Sequence, residues 1–233
     1  MSIDQTATPS AQQTPVKIDV WSDVACPWCY VGKRRLETAL ADFDGPVEIE
    51  YHSFELSPDT PVDFEGTAAD FLARHKGMPL AQVETMLGQM TELAAAEGLD
   101  YDFEHVHQTK TLKAHELLHH AKEHGRQGEM KERLLKAYFV EGKHVGYVDT
   151  LVELAAEVGL DADAARAALD AGTHADDVAA DIAQARAFGI QGVPFYVLEN
   201  RYGISGAQSP DVFRQALAQV AAERAGLAEE PVA

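Results

Sequence analysis

The two cysteines of this chain stand three positions apart, in Cys26-Pro27-Trp28-Cys29. An alternating apolar run over residues 16–21 precedes them and predicts a strand, and the residues that follow them predict a helix. Two thiols at this spacing, placed where a strand passes into a helix, are typical of a redox site. Because the chain contains no third cysteine, an intramolecular disulfide can join only these two.

The order of the two thiols along the helix predicts their roles. A cysteine at a helix N-terminus is stabilised as the thiolate by free backbone N–H groups and by the positive end of the helix dipole, which predicts Cys26 as the nucleophile. Cys29, one turn further on, is placed to attack a mixed disulfide and is predicted as the resolving thiol. Pro27 restrains the loop, and Trp28 adds a large apolar surface beside the sulfur atoms.

Zinc binding is the alternative interpretation of this motif, because two cysteines at this spacing also form half of a common zinc site. The chain has no second pair of cysteines, so a residue such as His52 would have to complete the ligand set. Proline between the cysteines and direct entry into a helix favour redox chemistry. We therefore predict a redox-active pair and no bound metal or other cofactor.

The predicted elements run in the order β-α-β, a long helical region, then β-β-α. Strands are predicted over residues 16–21, 47–54, 193–198 and a short run that ends at 204. The flanking helices are predicted over 30–42 and 211–225. Glycines separate seven further predicted helices, at 67–75, 79–97, 111–124, 129–140, 149–158, 161–169 and 175–188.

This order predicts an α/β domain that is interrupted by a large helical insertion. Hydrophobic residues make up 46% of the 233, which is enough for a sizeable core. We expect a disordered leader, two segments of the α/β domain, the inserted helical domain and a flexible tail. Their predicted bounds are 1–15 for the leader, 16–62 and 189–226 for the α/β domain, 63–188 for the insertion and 227–233 for the tail.

Charge and hydropathy exclude several classes of partner. The chain has 19 Lys and Arg against 38 Asp and Glu, and its formal net charge of −19 repels phosphate backbones, so we expect no nucleic-acid partner. No stretch reaches the roughly 18 apolar residues that span a bilayer. The first residues lack the basic start and the apolar run of a secretory signal. These features predict a cytoplasmic protein, in which a structural disulfide is disfavoured.

A second motif, Gly192-Val193-Pro194, leads directly into a predicted strand. Together with the cysteine motif and the β-α-β opening, it resembles the thioredoxin superfamily. The stretches over residues 21–33 and 204–209 are similar to the FrnE-like branch of the DsbA family. The resemblance covers about residues 17 to 225.

The resemblance implies a thioredoxin-like fold whose inserted helical domain lies over the active site. It also implies that Pro194 is a cis-proline packed against the cysteines and that the backbone of Val193 pairs with an extended segment of substrate. Protein thiols and disulfides are the implied partners, with glutathione as a further redox partner.

The chain departs from many thioredoxin-like proteins in one position. Those proteins have a buried acid six residues before the nucleophilic cysteine, where this chain has Val20. Asp23, or a histidine of the insertion such as His115, is therefore a candidate for proton transfer at Cys29. Asp23 also fits a simpler role as a turn or cap residue.

The helix predicted over 111–124 contains the zinc-protease pattern His-Glu-x-x-His, at His115, Glu116 and His119. The resemblance places this stretch on a helix of the insertion, and we predict that it binds no metal there. His120 and His124 belong to the same cluster of histidines, which we interpret as a solvated helix face. The acidic residues from 161 to 181 are likewise interpreted as solvated faces and helix caps.

The sequence therefore predicts a thiol–disulfide oxidoreductase or disulfide isomerase that acts on protein disulfides. The first alternative is a glutathione-dependent transferase or isomerase of the kappa-class or hydroxychromene carboxylate isomerase type, which acts on a small molecule. Those relatives commonly have serine at the attacking position, where this chain has Cys26. A chaperone whose helices hold unfolded chains is a further alternative. The sequence leaves the redox direction and the oligomeric state open.

Overall fold

The computed structural model describes residues 14–228, so most of the predicted leader and the end of the predicted tail lie outside the described residues. The strands are β1 Val16–Ser22, β2 Val47–Ser53, β3 Phe195–Leu198 and β4 Tyr202–Ser205. The helices are α1 Pro27–Leu40, α2 Ala68–Lys76, α3 Leu80–Ala96, α4 Leu112–Glu123, α5 Gln127–Phe139, α6 Val148–Glu157, α7 Ala162–Ala171, α8 Ala175–Ala187 and α9 Pro210–Ala228. Within the described range, no helix is both long and apolar enough to cross a membrane.

The four strands form one mixed sheet in the order β2-β1-β3-β4. β1 pairs in parallel with β2 and antiparallel with β3, and β4 pairs antiparallel with β3. β1 therefore lies inside the sheet, and five of its last six residues are fully buried because both faces are covered. The β-α-β and β-β-α units on either side of a helical region confirm the predicted thioredoxin-like α/β fold.

The sheet is covered on both faces by helices. On one face, Ile18 of β1 packs with Leu36 of α1 and Phe213 of α9 in one apolar cluster. On the other face, Trp21 packs in a smaller cluster that includes Ala185 of α8. Helices on both faces of the sheet therefore hold β1 in place, immediately before the cysteines in the chain.

Helices α2 to α8 lie between β2 and β3 in the chain, and α2 to α7 build the largest apolar core. Leu117 of α4, Leu134 of α5 and Leu151 of α6 are fully buried in it. Tyr30 and Val31 of α1 belong to the same core. The inserted helices therefore pack against the helix that begins at the cysteine motif.

Most helix bounds agree with the prediction to within two residues, but α1 begins three residues earlier than predicted, at Pro27. Proline is favoured at the first helical position, because its missing N–H would have no partner there and its φ angle already suits a helix. This start makes Cys26 the N-cap residue and places Cys29 within the first turn.

Candidate active site

The cysteine pair lies at the junction between β1 and α1. Cys26 has extended backbone angles, φ −95° and ψ 112°, and its carbonyl accepts a hydrogen bond from Cys29 N at 3.0 Å. Both residues are free thiols, and each is only 3% exposed. The first turn of α1 therefore holds both sulfur atoms beneath the surface, with the free N–H groups of the helix end beside Cys26.

A cis peptide bond joins Val193 and Pro194 opposite the cysteines. The Cys26 thiol donates to the Val193 carbonyl oxygen over 3.5 Å, and Gly206 N donates to the Pro194 carbonyl at 2.8 Å. Gly32 of α1 packs tightly against this loop. The structure thus brings Val193 and Pro194 beside the thiols, where the resemblance placed them.

The two thiols titrate together, because a hydrogen bond joins one to the other. This bond and burial raise the pKa of Cys26 well above its ordinary value. Burial opposes ionisation of Cys29, but the bond with Cys26 and the charge of Lys131 lower its pKa. The pair therefore favours one negative charge and one shared proton, because a second buried charge would lie beside the first.

Lys131 of α5 is a buried amine that the sequence analysis did not identify. It is 1% exposed, and its Nζ has no hydrogen-bond partner among the described residues. Burial lowers the pKa of Lys131, whereas the negative charges of Cys29 and Asp23 act in the opposite direction. The signal was present in the sequence, because Lys131 interrupts the apolar stripe of α5 between Met130 and Leu134.

Glu132, the residue after Lys131, joins α5 to α1. It accepts from Tyr30 Oη at 2.7 Å, pairs with Lys33 Nζ at 2.6 Å and also binds Arg34. Burial opposes its ionisation, but Arg34 and Lys33 lower its pKa to about 2. These contacts hold the helix of Lys131 against the helix of the cysteines.

Asp23 and His115, the two predicted candidates for proton transfer, form one buried pair. His115 Nε2 lies 3.2 Å from Asp23 Oδ1, and the carboxylate also accepts from Leu56 N at 2.8 Å. Burial opposes ionisation of Asp23, but the bond with His115 lowers its pKa. Because Asp23 also accepts from Ala25 N at 3.3 Å, the carboxylate closes the turn that leads to Cys26. Its geometry suits both roles considered from the sequence.

The interpretation of the histidine-rich helix as a solvated face is wrong. Residues 114 to 121 of α4 are all buried, because sheet-side and insertion helices surround this helix. His115 bonds to Asp23, Glu116 pairs with Lys113 at 3.0 Å, and His119 Nε2 lies 3.1 Å from Ser53 Oγ. The three residues of the protease pattern therefore bind different partners and do not converge on one point.

Asp181 also differs from its predicted place on a solvated helix face. It is 8% exposed, accepts from Ser53 N at 2.7 Å and lies 2.8 Å from His52 Nδ1. His52 Nε2 lies 2.8 Å from Asp19 Oδ1, so the imidazole stands between two carboxylates. Burial opposes its protonation, but Asp181 and Asp19 raise the pKa of His52 to about 9. Both ring nitrogens of His52 are thus engaged away from the cysteines.

A largely apolar cavity of about 580 Å³ opens beside Cys26. Its walls come from the cysteine loop, the proline loop and the inserted helices, with Trp28, Val193, Phe71, Met86, Met90 and Phe139 among the lining residues. Tyr101 of the insertion donates from its hydroxyl to the Pro27 carbonyl at 2.7 Å and so fixes one wall to the cysteine motif. Trp28 is 44% exposed at the mouth.

Comparisons with known proteins agree with this geometry. The DSBA-like thioredoxin domain family matches residues 17–218. The chain is 32% identical over 207 residues to the uncharacterized protein YwbO of Bacillus subtilis strain 168, which covers 87% of this chain and 96% of YwbO. Among solved structures, a probable DsbA oxidoreductase of Streptomyces coelicolor is 40% identical, with a TM-score of 0.84 over 94% of this chain and 93% of the other.

A more distant structure shares the fold alone. A 2-hydroxychromene-2-carboxylate isomerase is 15% identical, with a TM-score of 0.71 over 91% of this chain and 98% of the isomerase. The FrnE-like branch stays a prediction. The family match over most of the chain and the identity to two relatives show that the chain belongs to the DsbA-like thioredoxin domain family.

Proposed function

We propose that this protein exchanges disulfides with protein substrates, with Cys26 as the nucleophile and Cys29 as the resolving thiol. The observation that supports this proposal most directly is the position of the two thiols. Cys26 caps α1, lies beside the Val193 carbonyl and lines the cavity, whereas Cys29 lies one turn deeper, near Lys131. A substrate sulfur that enters the cavity reaches Cys26 first.

In the reductive direction, the shared proton moves to Cys29 and the Cys26 thiolate attacks one sulfur of a substrate disulfide. A bond forms between Cys26 and that sulfur, and the other substrate sulfur leaves as a thiolate. Cys29 then loses its proton and attacks Cys26 Sγ, which forms the Cys26–Cys29 disulfide and releases the second substrate sulfur. The substrate gains two electrons, and each leaving thiolate takes up a proton. The oxidative direction is the reverse.

We infer that Lys131 accepts the proton of Cys29 in the resolving step. Its amine is buried without a hydrogen-bond partner in the described range, and burial lowers its pKa, which increases the fraction of the amine that is neutral and able to accept a proton. Its charged form then stabilises the Cys29 thiolate. Lys131 thus supplies what the absent acid at Val20 supplies in many thioredoxin-like proteins. Asp23 and His115 are proposed to hold the turn and the local charge rather than to transfer this proton.

The cavity supports a polypeptide with apolar side chains as the substrate. Val193 and Pro194 border the thiols immediately before β3, and an extended segment of a partner chain can pair with backbone beside them. The methionines at positions 86 and 90 provide flexible apolar surface that accommodates different side chains. We therefore propose partly unfolded proteins with accessible disulfides as substrates.

We propose reduction or isomerisation as the direction, in the cytoplasm, with glutathione as the reductant that regenerates the dithiol. The support is compositional, because the only two cysteines of the chain are those of the candidate site, as expected for a protein of a reducing compartment.

A glutathione redox titration of the purified protein tests this function. Fluorescence of Trp28, which stands beside the thiols, and thiol alkylation followed by mass spectrometry report the redox state. We expect a reversible two-electron transition that disappears in Cys26→Ser and in Cys29→Ser. A midpoint reduction potential of about −270 mV indicates a reductase, and one of about −120 mV indicates an oxidase. No transition in the wild-type protein contradicts the proposal.

The size of the cavity favours one second candidate, a glutathione-dependent reaction on a small molecule. Its volume of about 580 Å³ lies within the range of small-molecule sites, about 300 to 1,000 Å³. Calorimetric titration of reduced glutathione into the Cys26→Ser, Cys29→Ser double variant separates the two functions. Saturable binding together with turnover of an aromatic substrate in that variant supports the second candidate, and no binding contradicts it.

A further inference from the structure

A second cluster of chemically reactive side chains lies where α4 ends near the start of α8, outside the redox site. His120 and Glu123 are one turn apart on α4, and His174 is the N-cap residue of α8. One ligand atom from each of these three residues lies within 4.8 Å of the other two. None of the three lines the cavity at Cys26.

Two imidazole nitrogens of this cluster are buried without a partner. His120 is 6% and His174 3% exposed, and the Nε2 atom of each has no hydrogen bond within residues 14–228. A buried polar atom that bonds to nothing destabilises the folded state by about 1 to 3 kcal/mol. Because both histidines place a ring nitrogen in one small region, their unpaired nitrogens indicate a common ligand that accepts their lone pairs.

The protonation and orientation of the histidines suit a metal ion. His174 Nδ1 donates to the Asp177 carboxylate at 2.9 Å, which leaves Nε2 as the unprotonated atom of the neutral ring. A carboxylate behind a metal-binding histidine fixes its tautomer and ring orientation in this way. The ring centroids of His120 and His174 lie 6.0 Å apart, so both imidazoles border the same small region.

Glu123 supplies the third ligand atom from the protein surface. Glu123 Oε2 lies 3.8 Å from His174 Nε2, and the Glu123 side chain is 64% exposed. The carboxylate can therefore rotate towards the two nitrogens without disturbing the core. Solvent on that side can supply a fourth ligand.

A second possible metal-binding group consists of Asp19, Glu50 and His52, and its contacts differ from those of the first group. There, both nitrogens of His52 are already bound to carboxylates at 2.8 Å, and Lys17 pairs with Asp19 and Glu50 at 3.1 Å each. The positive charge that these carboxylates require is supplied by the protein itself. Among residues 14–228, the cluster at His120 has no such partner for its two nitrogens.

We propose that His120, Glu123 and His174 form a binding site for a divalent transition-metal ion of the zinc type. Two imidazoles and one carboxylate match the ligand preference of Zn²⁺ and not that of Mg²⁺ or Ca²⁺. With metal–ligand distances of about 2.0 to 2.2 Å, the donor atoms of a tetrahedral site lie about 3.3 Å apart, so the cluster contracts by side-chain rotation when the ion binds. Asp177 is a positioning residue for His174.

A metal at this point joins α4 to the start of α8. Further along α8, Asp181 binds Ser53 and His52 of β2, so the ion fixes the helix that covers one face of the sheet. We therefore expect bound metal to stabilise the folded protein without changing the chemistry of the thiols.

The experiment uses the full chain with both cysteines replaced by serine, so that thiolates do not bind the probe. After treatment with a chelator, the protein is titrated with Co²⁺, followed by its visible absorption, and with Zn²⁺ in competition with a chromophoric chelator. We expect one equivalent of each ion to bind and Zn²⁺ to raise the melting temperature. Mg²⁺ is expected to do neither.

Single substitutions in the same background assign the ligands. We expect at least about a tenfold loss of Zn²⁺ affinity in Glu123→Gln and in His174→Gln, and about a tenfold loss in Asp177→Asn. His105→Gln, at a histidine that lies outside the cluster with its side chain 72% exposed, is the matched control and should bind as the parent does. Glu123 is exposed, so Glu123→Gln remains folded and interpretable even if a histidine variant unfolds. Absence of saturable binding in the parent, or undiminished binding in Glu123→Gln and His174→Gln, overturns the proposal.

Discussion

The two regions of this molecule contribute different things to one site. The sheet with α1 and α9 provides both sulfur atoms and the proline loop, whereas the groups that surround the sulfurs come from the inserted helices. Lys131 lies on α5, His115 on α4, and Tyr101 between α3 and α4. The fold of the first region fixes where the thiols stand, and the second region sets their protonation and the shape of the space that a substrate enters.

The physical reason for this division lies in the packing of α1. One side of α1, at Leu36, belongs to the core of the sheet, and the other, at Tyr30 and Val31, belongs to the core of the inserted helices. A helix that is buried on two sides carries its N-terminal cysteines into the boundary between the regions. Each region can therefore be altered separately to test what it contributes.

The largest effect is expected where the helical region acts on the thiols. Lys131→Met removes the proposed proton acceptor, so the resolving step should slow by about 10²-fold near neutral pH. Stability should be unchanged or higher, because an apolar side chain replaces a buried amine without a partner.

Decay of a trapped mixed disulfide, followed across pH by quenched-flow mass spectrometry, measures this step. The matched control is Lys136→Met, since Lys136 lies on the same helix with its side chain 55% exposed. A pH–rate profile for Lys131→Met that coincides with the wild-type profile would show that Lys131 takes no part.

The next effect lies within the sheet region, at the contact between α1 and the proline loop. A Cβ atom at Gly32 would lie 2.3 Å from Tyr196 Oη and 3.1 Å from Pro194 Cγ. Gly32→Ala should therefore lower the free energy of unfolding by about 1 to 3 kcal/mol, although alanine is the better helix former. Urea denaturation measures it, and a variant as stable as the wild type would disprove this close packing.

A further effect, on the pH dependence of stability, is expected at the contact between the sheet and α8. The pKa of His52 is about 9 in the folded protein and about 6.5 when unfolded. The charged ring between Asp19 and Asp181 thus stabilises the fold fully below pH 6.5, and this contribution, about 3 kcal/mol, is lost as the pH rises through 9.

Melting temperatures between pH 6 and 10, in the background without cysteines, follow this loss. His52→Asn should flatten the profile over that window, whereas His105→Asn, at a histidine whose side chain is 72% exposed, should retain it. Equal profiles for the two variants would assign the pH dependence to other groups.

The smallest effect is expected at an exposed position of the helical region. A Cβ atom at Gly88 of α3 would meet nothing within 4 Å. Gly88→Ala should raise the free energy of unfolding by up to about 1 kcal/mol through helix propensity alone. Denaturation measures the gain, and the redox midpoint should stay the same. A loss of stability would mean that α3 needs the freedom of glycine at this position.

Much of the fold follows from local patterns in the sequence. Alternating apolar residues marked the strands, glycines marked the helix ends, and Ser209-Pro210 marked the start of α9. The start of α1 was misplaced because the cysteines and the tryptophan do not continue an amphipathic pattern, although Pro27 itself indicated the first helical position.

The errors about buried polar residues share one cause. The side chains of one helix bind partners on distant segments of the chain. Asp181 and His119 look like surface residues in a local pattern, yet Asp181 binds Ser53 and His52 of β2, and His119 binds Ser53. A polar residue can be buried when a partner far along the chain satisfies it, and local periodicity does not report that partner.

The sequence by itself determined the thiol pair, its place at the start of a helix and the succession of strands and helices, because these depend on neighbouring residues. Only the tertiary structure decided which groups surround the thiols. Lys131 is separated from Cys29 by about a hundred residues, and its charge acts on that sulfur only because α5 folds back against α1. Electrostatic interaction depends on distance in space and on burial, and both are set when the two regions close on each other.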